Sequence, residues 1–408
     1  MHNRTLVCIL AETRAYKITW PSFKNFVLDP LRADLLLCIS VPDNYEFSNP
    51  YWQFAKYRFA TPEFLDWGDA FDEAQRVESK NDTNLNLPNW RILLDIKDQW
   101  LGGIKGPGQH SGSAGILIYY RWYLLKKIES EGLLDKYDRF IVTRSDFIWE
   151  TAHPPVSHLN VENIWIPDGE GYGGVTDRHV ILSKENIISY LKILSPIIND
   201  PDTLFSEMRG KDNWNLEQFI DYSLEREGVK SSVRFFPYVM YSAREWSGTT
   251  SWSKGQWSDD LGYYIKYRSE FQSAKSASLI IKSTFDWTNF FSKNLSIGFN
   301  SRVMDEEENV FVFLGNKIAS VNIASLSKES ITLSVDYSDR VGFLYLSKHL
   351  LGNGEKELID EVEIIPKGSN SYNLISQKDR AFYAVNSEGV LEKSITNAKD
   401  FLFKNKYI

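Results

Sequence analysis

The chain of 408 residues has few of the side chains that build disulfide frameworks or zinc sites. Its two cysteines, Cys8 and Cys38, lie inside short apolar runs, which argues against a disulfide framework and indicates buried thiols in a reducing compartment. Its six histidines show neither HExxH nor HxxxH spacing. The sequence therefore argues against a zinc site built on either of these histidine spacings.

Several sequence motifs that carry well-known chemistry are also missing. Neither GxxxxGK[ST] nor a GxGxxG that follows a strand is present, which argues against an NTPase and a dinucleotide-binding enzyme. There is no GxSxG elbow, and the cysteines lie in strand-like runs rather than at helix starts. Hydrolases with a serine or cysteine nucleophile are therefore disfavoured.

Long apolar runs and an excess of positive charge are absent as well. No stretch approaches the roughly 18 apolar residues of a membrane span, and residues 1–14 lack the apolar length of a secretory signal. We therefore expect a cytoplasmic protein whose membrane contact, if any, is peripheral. The net charge of −8 argues against a general nucleic-acid binder.

Aromatic residues, in contrast, are abundant. The chain contains 13 Trp, 21 Tyr and 24 Phe. Large cores account for many aromatic side chains. Flat apolar sugar faces also stack on aromatic rings, so this composition mildly favours a carbohydrate ligand.

The hydrophobic pattern of the first 40 residues predicts a βαβ unit. Apolar strand-like runs cover residues 4–10 and 33–41, and between them Phe23, Phe26 and Val27 have helical spacing. A strand, a helix and a strand within about 40 residues predict neighbouring parallel strands with the helix outside the sheet.

Further along, alternating elements continue and then the character of the sequence changes. The pattern predicts helices over residues 116–134 and 214–228, strands over 139–143, 163–167 and 180–183, and a helix from Lys184 with Ser183 as N-cap. From residue 272, short alternating runs recur at roughly ten-residue spacing, beginning with residues 277–287, which is typical of an all-β sandwich. We therefore expect an α/β domain over residues 1–271 and a β-sandwich over residues 272–408.

Polar side chains follow several of the predicted strands at equivalent places. Asp146 lies just beyond the strand 139–143, Glu12-Thr13-Arg14 follows the first strand, and Thr176-Asp177-Arg178 and Asn215-Leu216-Glu217 stand near other element ends. Ligands of open α/β sheets bind outside the carboxyl ends of the strands. Cations there suit the anionic phosphates of a nucleotide-diphosphate sugar, and a carboxylate suits the removal of a hydroxyl proton.

Three segments carry a resemblance to a known family. They are "RTLVCILAETRAYKITWPSFKNFVLDPLRADLLLCIS", "YDRFIVTRSDFIW" and "IWIPDGEGYGGVTDRHVILSKENIISYL". In these segments the chain resembles nucleotide-sugar glycosyltransferases of the GT-A fold, of the bacterial and large-virus type in which Asp-x-Asp is reduced to Arg-x-Asp. The resemblance implies a GT-A-like, Rossmann-type mixed sheet flanked by helices. It also implies sugar transfer from a UDP- or GDP-type donor to a glycan or glycoconjugate, as in polysaccharide biosynthesis.

The same resemblance assigns roles to individual residues. Asp146 would bind Mn²⁺ or Mg²⁺, or the diphosphate itself, and Arg144 occupies the place of the first Asp of the motif. Glu217 is the first choice for the general base of an inverting reaction, and Asp177 is the second. The nucleotide-sugar-binding residues that it implies are Ala11, Glu12, Thr13, Arg14, Arg144, Ser145, Asp146 and Arg178.

Plainer interpretations of these residues remain open at the level of the sequence. Glu217 would suit the first turn of any helix, where the macrodipole favours a carboxylate, and Asp177-Arg178 would suit a surface ion pair. At the level of function, the alternatives are a non-catalytic carbohydrate-binding protein and a glycoside hydrolase with two carboxylates, such as Asp146 and Glu217.

Overall fold

The computed structural model describes residues 4–79, 87–96, 99–106, 111–247, 253–283 and 287, and strands between residues 309 and 402. The strands of the first part are β1 (Thr5–Ala11), β2 (Asp34–Ser40), β3 (Tyr57–Thr61), β4 (Arg139–Thr143), β5 (Phe147–Trp149), β6 (Ile164–Pro167), β7 (Val180–Ser183), β8 (Val233–Phe236), β9 (Met240–Arg244), β10 (Gln256–Ser258) and β11 (Tyr263–Ile265).

Helices separate these strands. They are α1 (Tyr16–Phe23), α2 (Asp29–Leu31), α3 (Pro50–Phe54), α4 (Trp67–Glu78), α5 (Ala114–Ser130), α6 (Ile187–Leu191), α7 (Ser195–Asn199), α8 (Pro201–Met208), α9 (Leu216–Arg226) and α10 (Arg268–Ser283). A π-helical turn, Lys24–Leu28, joins α1 to α2. None of the helices in the described ranges is both long and apolar enough to cross a membrane.

A seven-stranded mixed sheet forms the centre of the α/β part, in the order β3-β2-β1-β4-β7-β6-β8. Strands β3, β2, β1 and β4 are parallel, and β7 is antiparallel to both β4 and β6. The predicted mixed sheet flanked by helices is therefore confirmed. The chain runs outward from β1 to β2 and β3 and then returns to β4 on the other side of β1, so the strand order reverses between β1 and β4.

Both faces of the inner strands of this sheet are buried, as continuous apolar strands require. Along β1, Leu6, Cys8 and Leu10 belong to the core that includes α4, α5 and α9. The alternate residues Val7 and Ile9 belong to the opposite core, which includes α1, β9 and α10. Successive side chains of β1 point to opposite faces of the sheet, so the same strand contacts a helical layer on each face.

A second, four-stranded sheet has the order β10-β11-β9-β5. Strand β5 follows β4 after only three residues, Arg144-Ser145-Asp146, so this tripeptide is where the chain leaves the first sheet for the second. The pairing of β5 with β9 places Phe147 opposite Ser242 and fixes residues 240–244 beside the tripeptide.

The C-terminal part contains antiparallel strands. They are β12 (Asn309–Leu314), β13 (Lys317–Asn322), β14 (Ser330–Ser338), β15 (Val341–His349), β16 (Lys356–Gly368), β17 (Ser371–Ser376), β18 (Phe382–Val385), β19 (Leu391–Ser394) and β20 (Phe401–Leu402). Strands β12 and β13 form a hairpin and the others form one sheet. The strands described between residues 309 and 402 agree with the predicted β character of this region, whereas the packing of two sheets into a sandwich and the boundary at residue 271 stay predictions.

Two local predictions are wrong. Residues 277–283, predicted as a strand, lie in α10, whose Ala277 and Ile281 face the core. A short apolar run fits a strand and a buried helix equally well, which explains the error. Ser183 is not an N-cap, because α6 begins only at Ile187 and the Asn186 side chain accepts a bond from the Ser183 N–H at 2.8 Å. The remainder of the predicted run 277–287, apart from residue 287, lies outside the described residues.

Candidate active site

A cleft of about 400 Å³ lies where the strand order reverses, beyond the carboxyl ends of β1 and β4. A reversal of strand order opens a crevice between the two flanking connections, which is the usual ligand site of such sheets. The charged side chains that line this cleft are Glu12, Arg14, Arg144, Asp146, Asp177, Arg178, Glu217 and Lys266. Nine of the ten predicted site residues line it, and Thr13 is the exception.

The antiparallel direction of β7 explains why the Asp177 loop reaches the same edge. Val180 at the start of β7 pairs with Val142 near the end of β4. The residues that precede β7 therefore lie beside the residues that follow β4. A parallel strand would have carried Asp177 and Arg178 to the opposite edge.

Asp146 is held by two guanidinium groups. Arg144 donates to both carboxylate oxygens, with Nε–Oδ1 and NH2–Oδ2 distances of 3.0 and 2.7 Å, and Arg244 NH1 lies 2.6 Å from Oδ2. Asp146 is only 1% exposed. Burial acts to raise its pKa, but the charges of Arg144, Arg244 and Arg14 outweigh burial and hold the pKa well below the ordinary value.

The turn after β1 is tied to the same tripeptide. Ser145 Oγ donates to the carbonyl oxygens of Glu12 at 3.0 Å and Arg14 at 3.2 Å. Ala11 has a φ of 68°, a left-handed conformation that is uncommon outside glycine. Ser145 therefore fixes the backbone of residues 12–14 beside Asp146 through its hydroxyl group.

Thr13 points elsewhere. Its hydroxyl lies 2.7 Å from the Tyr45 hydroxyl and accepts a hydrogen bond from Asn49 Nδ2 at 2.9 Å. Asn49 in turn accepts from the Tyr51 N–H at the start of α3. The predicted contact of Thr13 with a nucleotide sugar is thus not supported by its position, and Thr13 instead anchors the turn to α3.

Arg178 lies in a buried network of carboxylates. It forms ion pairs with Glu170 at 3.1 Å and with Glu270, and Asp177 Oδ1 lies 4.0 Å from its Nε. Arg178 is 4% exposed. Burial acts to lower its pKa, but Tyr238, Glu170 and Asp177 raise the pKa above the ordinary value. The alternative of a surface ion pair for Asp177-Arg178 is therefore wrong, because the pair is buried.

Glu217 lies in the first turn of α9, two residues after the N-cap Asn215. Asn215 Oδ1 accepts from the Gln218 N–H at 2.8 Å, as a helix cap does. Burial, and next the charge of Asp177, raise the pKa of Glu217 to about 7. A carboxylate with a pKa near neutrality that faces a cleft has the properties of a general base.

The glycine loop packs tightly against this helix start. The Val175 N–H donates to the Glu217 carbonyl at 3.3 Å, and a Cβ added at Gly174 would overlap the same carbonyl oxygen. Any side chain at position 174 would therefore push the loop away from α9.

We expect Gly174→Ala to lower the sugar-transfer activity that the family resemblance implies while the protein stays folded, because the loop that carries Asp177 must shift away from Glu217. Steady-state kinetics and a thermal melt measure the two effects. The matched control is Gly210→Ala, where an added Cβ meets nothing within 4 Å. Equal activity of the two variants would show that the contact between the loop and α9 is dispensable.

Sequence reasoning missed several groups at the cleft. Lys266 and Tyr267 line it directly after β11, and residues 111–114 line it at the start of α5. Burial, together with the charges of Arg144 and Arg244, lowers the pKa of Lys266 to about 7. A single lysine after a short strand carries no sequence signal.

Two histidines form a buried pair behind the site. His153 Nδ1 donates to the Pro154 carbonyl at 2.7 Å, and the two Nε2 atoms of His153 and His179 lie 3.2 Å apart. His179 Nδ1 accepts from the Thr143 hydroxyl at 3.0 Å, next to Arg144. These contacts assign one proton to each ring. Burial lowers the pKa of His153 to about 4 and also lowers the pKa of His179.

We expect this pair to destabilise the fold in acid. The pKa of each ring is lower in the folded protein than in the unfolded chain. The free energy of unfolding is therefore at its full value above pH 6.5. It falls as the pH falls towards 4, by about 3 kcal/mol for His153. Glu217 titrates in the same range with the opposite sign, because its folded pKa is raised. Urea unfolding of Glu217→Gln at pH 7 and pH 5 therefore measures the effect.

The exposed His158 supplies the control for this experiment, because His158→Asn in the same background should keep the full pH dependence. An unfolding free energy that is equal at pH 7 and pH 5 would contradict a neutral buried pair.

The divalent cation that the resemblance implies at Asp146 does not fit the side chains around it. Arg144 and Arg244 occupy both carboxylate oxygens, and a cation would face their charges as well as those of Arg14 and Lys266. Within the described ranges, no group of three or more His, Cys, Asp and Glu side chains is placed to hold a metal ion. Hard cations need several oxygen ligands, so we assign no chemical step to Mn²⁺ or Mg²⁺.

No protein-family model matches the chain, and no curated protein matches it. Among solved structures, it is similar to the apo form of mouse xyloside xylosyltransferase 1. The sequence identity is 9%, the TM-score is 0.34, and the match covers 58% of this chain and 86% of the other. The function proposed below rests on the geometry of the cleft and not on this similarity.

Proposed function

We propose that the chain is a glycosyltransferase that moves a sugar from a nucleotide-diphosphate sugar to a hydroxyl group of a glycan or glycoconjugate. One observation carries the proposal. A single cleft at the reversal of strand order collects cations suited to a diphosphate and a carboxylate with a pKa of about 7. The two kinds of group are those that sugar transfer needs, one for the leaving group and one for the acceptor.

The cations act on the leaving group. As the bond from the anomeric carbon to the diphosphate oxygen breaks, negative charge grows on the diphosphate. Arg14, Arg144 and Lys266 face the cleft, where their donors stabilise that charge. Because Asp146 holds the Arg144 guanidinium in place, little reorganisation is needed during the reaction.

The carboxylates act on the acceptor. Glu217 takes the proton of the attacking hydroxyl while the bond from the acceptor oxygen to the anomeric carbon forms. Burial, and next the charge of Asp177, raise the pKa of Glu217 and so make it a stronger base at neutral pH. Asp177 also lines the cleft and is the second candidate for the base.

The arrangement is less suited to a glycoside hydrolase that uses Asp146 and Glu217. A retaining or inverting hydrolase needs a free carboxylate next to the anomeric carbon or its attacking water. Asp146 is almost fully buried, and both its oxygens accept bonds from arginines. A hydrolase would also need no nucleotide, which makes nucleotide dependence a discriminating property.

The catalytic unit extends into α10. Glu270 in the first turn of α10 holds Arg178 and accepts a bond from the Ser242 N–H at 2.7 Å. The predicted boundary at residue 271 falls inside α10, whose Ala277 and Ile281 pack in the core of the α/β part. We therefore propose that the transferase domain includes α10 and that the accessory domain follows it. The accessory domain would bind the glycan acceptor or mediate oligomerisation.

A thermal-shift screen of UDP- and GDP-sugars tests the proposal. Donors with one of the two bases should raise the melting temperature, because a ligand that binds the folded state stabilises it by mass action. The free sugars are the controls. Stabilisation by glycans and by no nucleotide sugar would instead identify a carbohydrate-binding protein.

A further inference from the structure

This inference rests on the proposed function, because sugar transfer places a diphosphate in the cleft. We infer that the chain binds this diphosphate directly through Arg14, Arg144 and Lys266, backed by Arg244, and that binding needs no divalent cation. Asp146, which the family resemblance makes a metal ligand, is then the counter-ion that positions the arginines.

The first support is that both carboxylate oxygens of Asp146 already contact arginine side chains. The Arg144 fork spans both oxygens, which is the bidentate geometry that arginine forms with carboxylates. Arg244 adds a second ion pair from the buried side, at 2.6 Å. A metal ion would have to bind a carboxylate that already accepts bonds from two guanidinium groups and is almost fully buried, and it would face their positive charges at close range.

The second support is the local balance of charge. Four cations, Arg14, Arg144, Arg244 and Lys266, surround Asp146 or face the same part of the cleft. Three carboxylates oppose them: Asp146 itself, Glu12, whose Oε1 lies 2.5 Å from Arg14, and Asp177, whose charge acts on Arg144. The group therefore carries a net positive charge when Lys266 is protonated, which suits the two negative charges of the diphosphate of a nucleotide sugar.

The third support is the way in which the two unpredicted cations are fixed. Strand β11 pairs with β9, so that Tyr264 lies opposite Arg244, and the Lys266 N–H donates to the Ser242 carbonyl at 3.0 Å. One antiparallel pair of strands therefore holds both Arg244 and Lys266. The lowered pKa of Lys266 fits a cation that is held among others and that an anion would relieve.

The fourth support is the start of α5. This helix has 17 residues, and residues 111–114 at its start line the cleft. Ser113 at the N-cap makes no side-chain capping hydrogen bond. The Gly115 N–H in the first turn already donates to the Gly102 carbonyl oxygen at 2.9 Å. The positive end of the helix dipole still lies at the cleft and favours an anion there.

Calorimetric titration of the full-length chain with inorganic pyrophosphate in EDTA tests the inference. We expect saturable binding in EDTA, and Lys266→Met should weaken it about tenfold or more, as loss of a charged hydrogen bond does. Lys192→Met is the control, because it removes one positive charge from an exposed position that does not line the cleft. Circular dichroism melts verify that both variants are folded.

Pyrophosphate binding that appears only after Mn²⁺ or Mg²⁺ is added would overturn the inference, as would equal affinity of Lys266→Met and Lys192→Met, or no binding under any condition. The outcome also separates this inference from the proposed transfer. Binding in EDTA without turnover of any donor would support the anion site and reject the transferase. Turnover that is abolished by EDTA and restored by metal would support the transferase and reject the metal-free anion site.

Discussion

Glu217→Gln is expected to lower the rate of sugar transfer by about 100- to 10,000-fold, the range that general bases contribute, with little change in donor affinity. Glutamine keeps the shape of the side chain and its place after the N-cap Asn215, but it cannot accept the hydroxyl proton. The measurement is the turnover of donor and acceptor at saturation, with donor affinity taken from a binding titration.

The pH profile sharpens this test. Glu217 must be deprotonated to act, so wild-type turnover should fall about tenfold per pH unit below pH 7, given its pKa of about 7. Glu217→Gln should lose this dependence on pH. Glu225→Gln is the matched control, because its side chain lies on the same helix and is 70% exposed. Parallel losses of affinity and turnover in Glu217→Gln would mean that the residue only positions the helix.

Asp146→Asn is expected to abolish transfer and to lower the free energy of unfolding by about 3 kcal/mol or more, as loss of one partner of a buried ion pair does. The variant leaves Arg244 buried without its counter-charge and releases the Arg144 fork. Urea unfolding measures the stability, and donor turnover measures the activity. The surface pair Arg91–Asp72 is the control, because Asp72→Asn removes a similar fork at a cost of about 1 kcal/mol or less.

A double variant separates the two effects of Asp146. Asp146→Asn combined with Arg244→Met removes the stranded cation and should recover part of the lost stability, because the two sites are coupled. Transfer should stay absent, since Arg144 is still unsupported. Turnover close to wild type in Asp146→Asn would reject the proposed site.

The sequence predicted the parts of the site that follow from strand ends. The buried runs of β1 and β4 are apolar on both faces, so their carboxyl ends and the polar residues after them are legible from pattern alone. Arg14 and the tripeptide Arg144-Ser145-Asp146 were found in this way. The Asp177 loop reaches the same edge because it follows the carboxyl end of β6, which runs parallel to β4, since both strands are antiparallel to β7.

Other parts of the site depend on pairings that leave no local signal. Arg244 and Lys266 are brought together by the pairing of two short strands, and Glu270 reaches Arg178 because the segment after β11 is a helix rather than a strand. The family resemblance assigns a metal to Asp146 because Arg144-Ser145-Asp146 stands in the place of the Asp-x-Asp motif. Arg244, the second arginine that pairs with Asp146, lies 98 positions further along the chain.

The release of nucleoside diphosphate from a nucleotide sugar, on addition of the purified chain and a glycan acceptor, tests the central claim most directly. We expect release with UDP- or GDP-sugars, transfer of the sugar to the acceptor, and loss of both in Glu217→Gln. No release with any donor of the panel, or cleavage of glycans that ignores added nucleotide, would contradict a sugar-transfer site at the junction of β1 and β4.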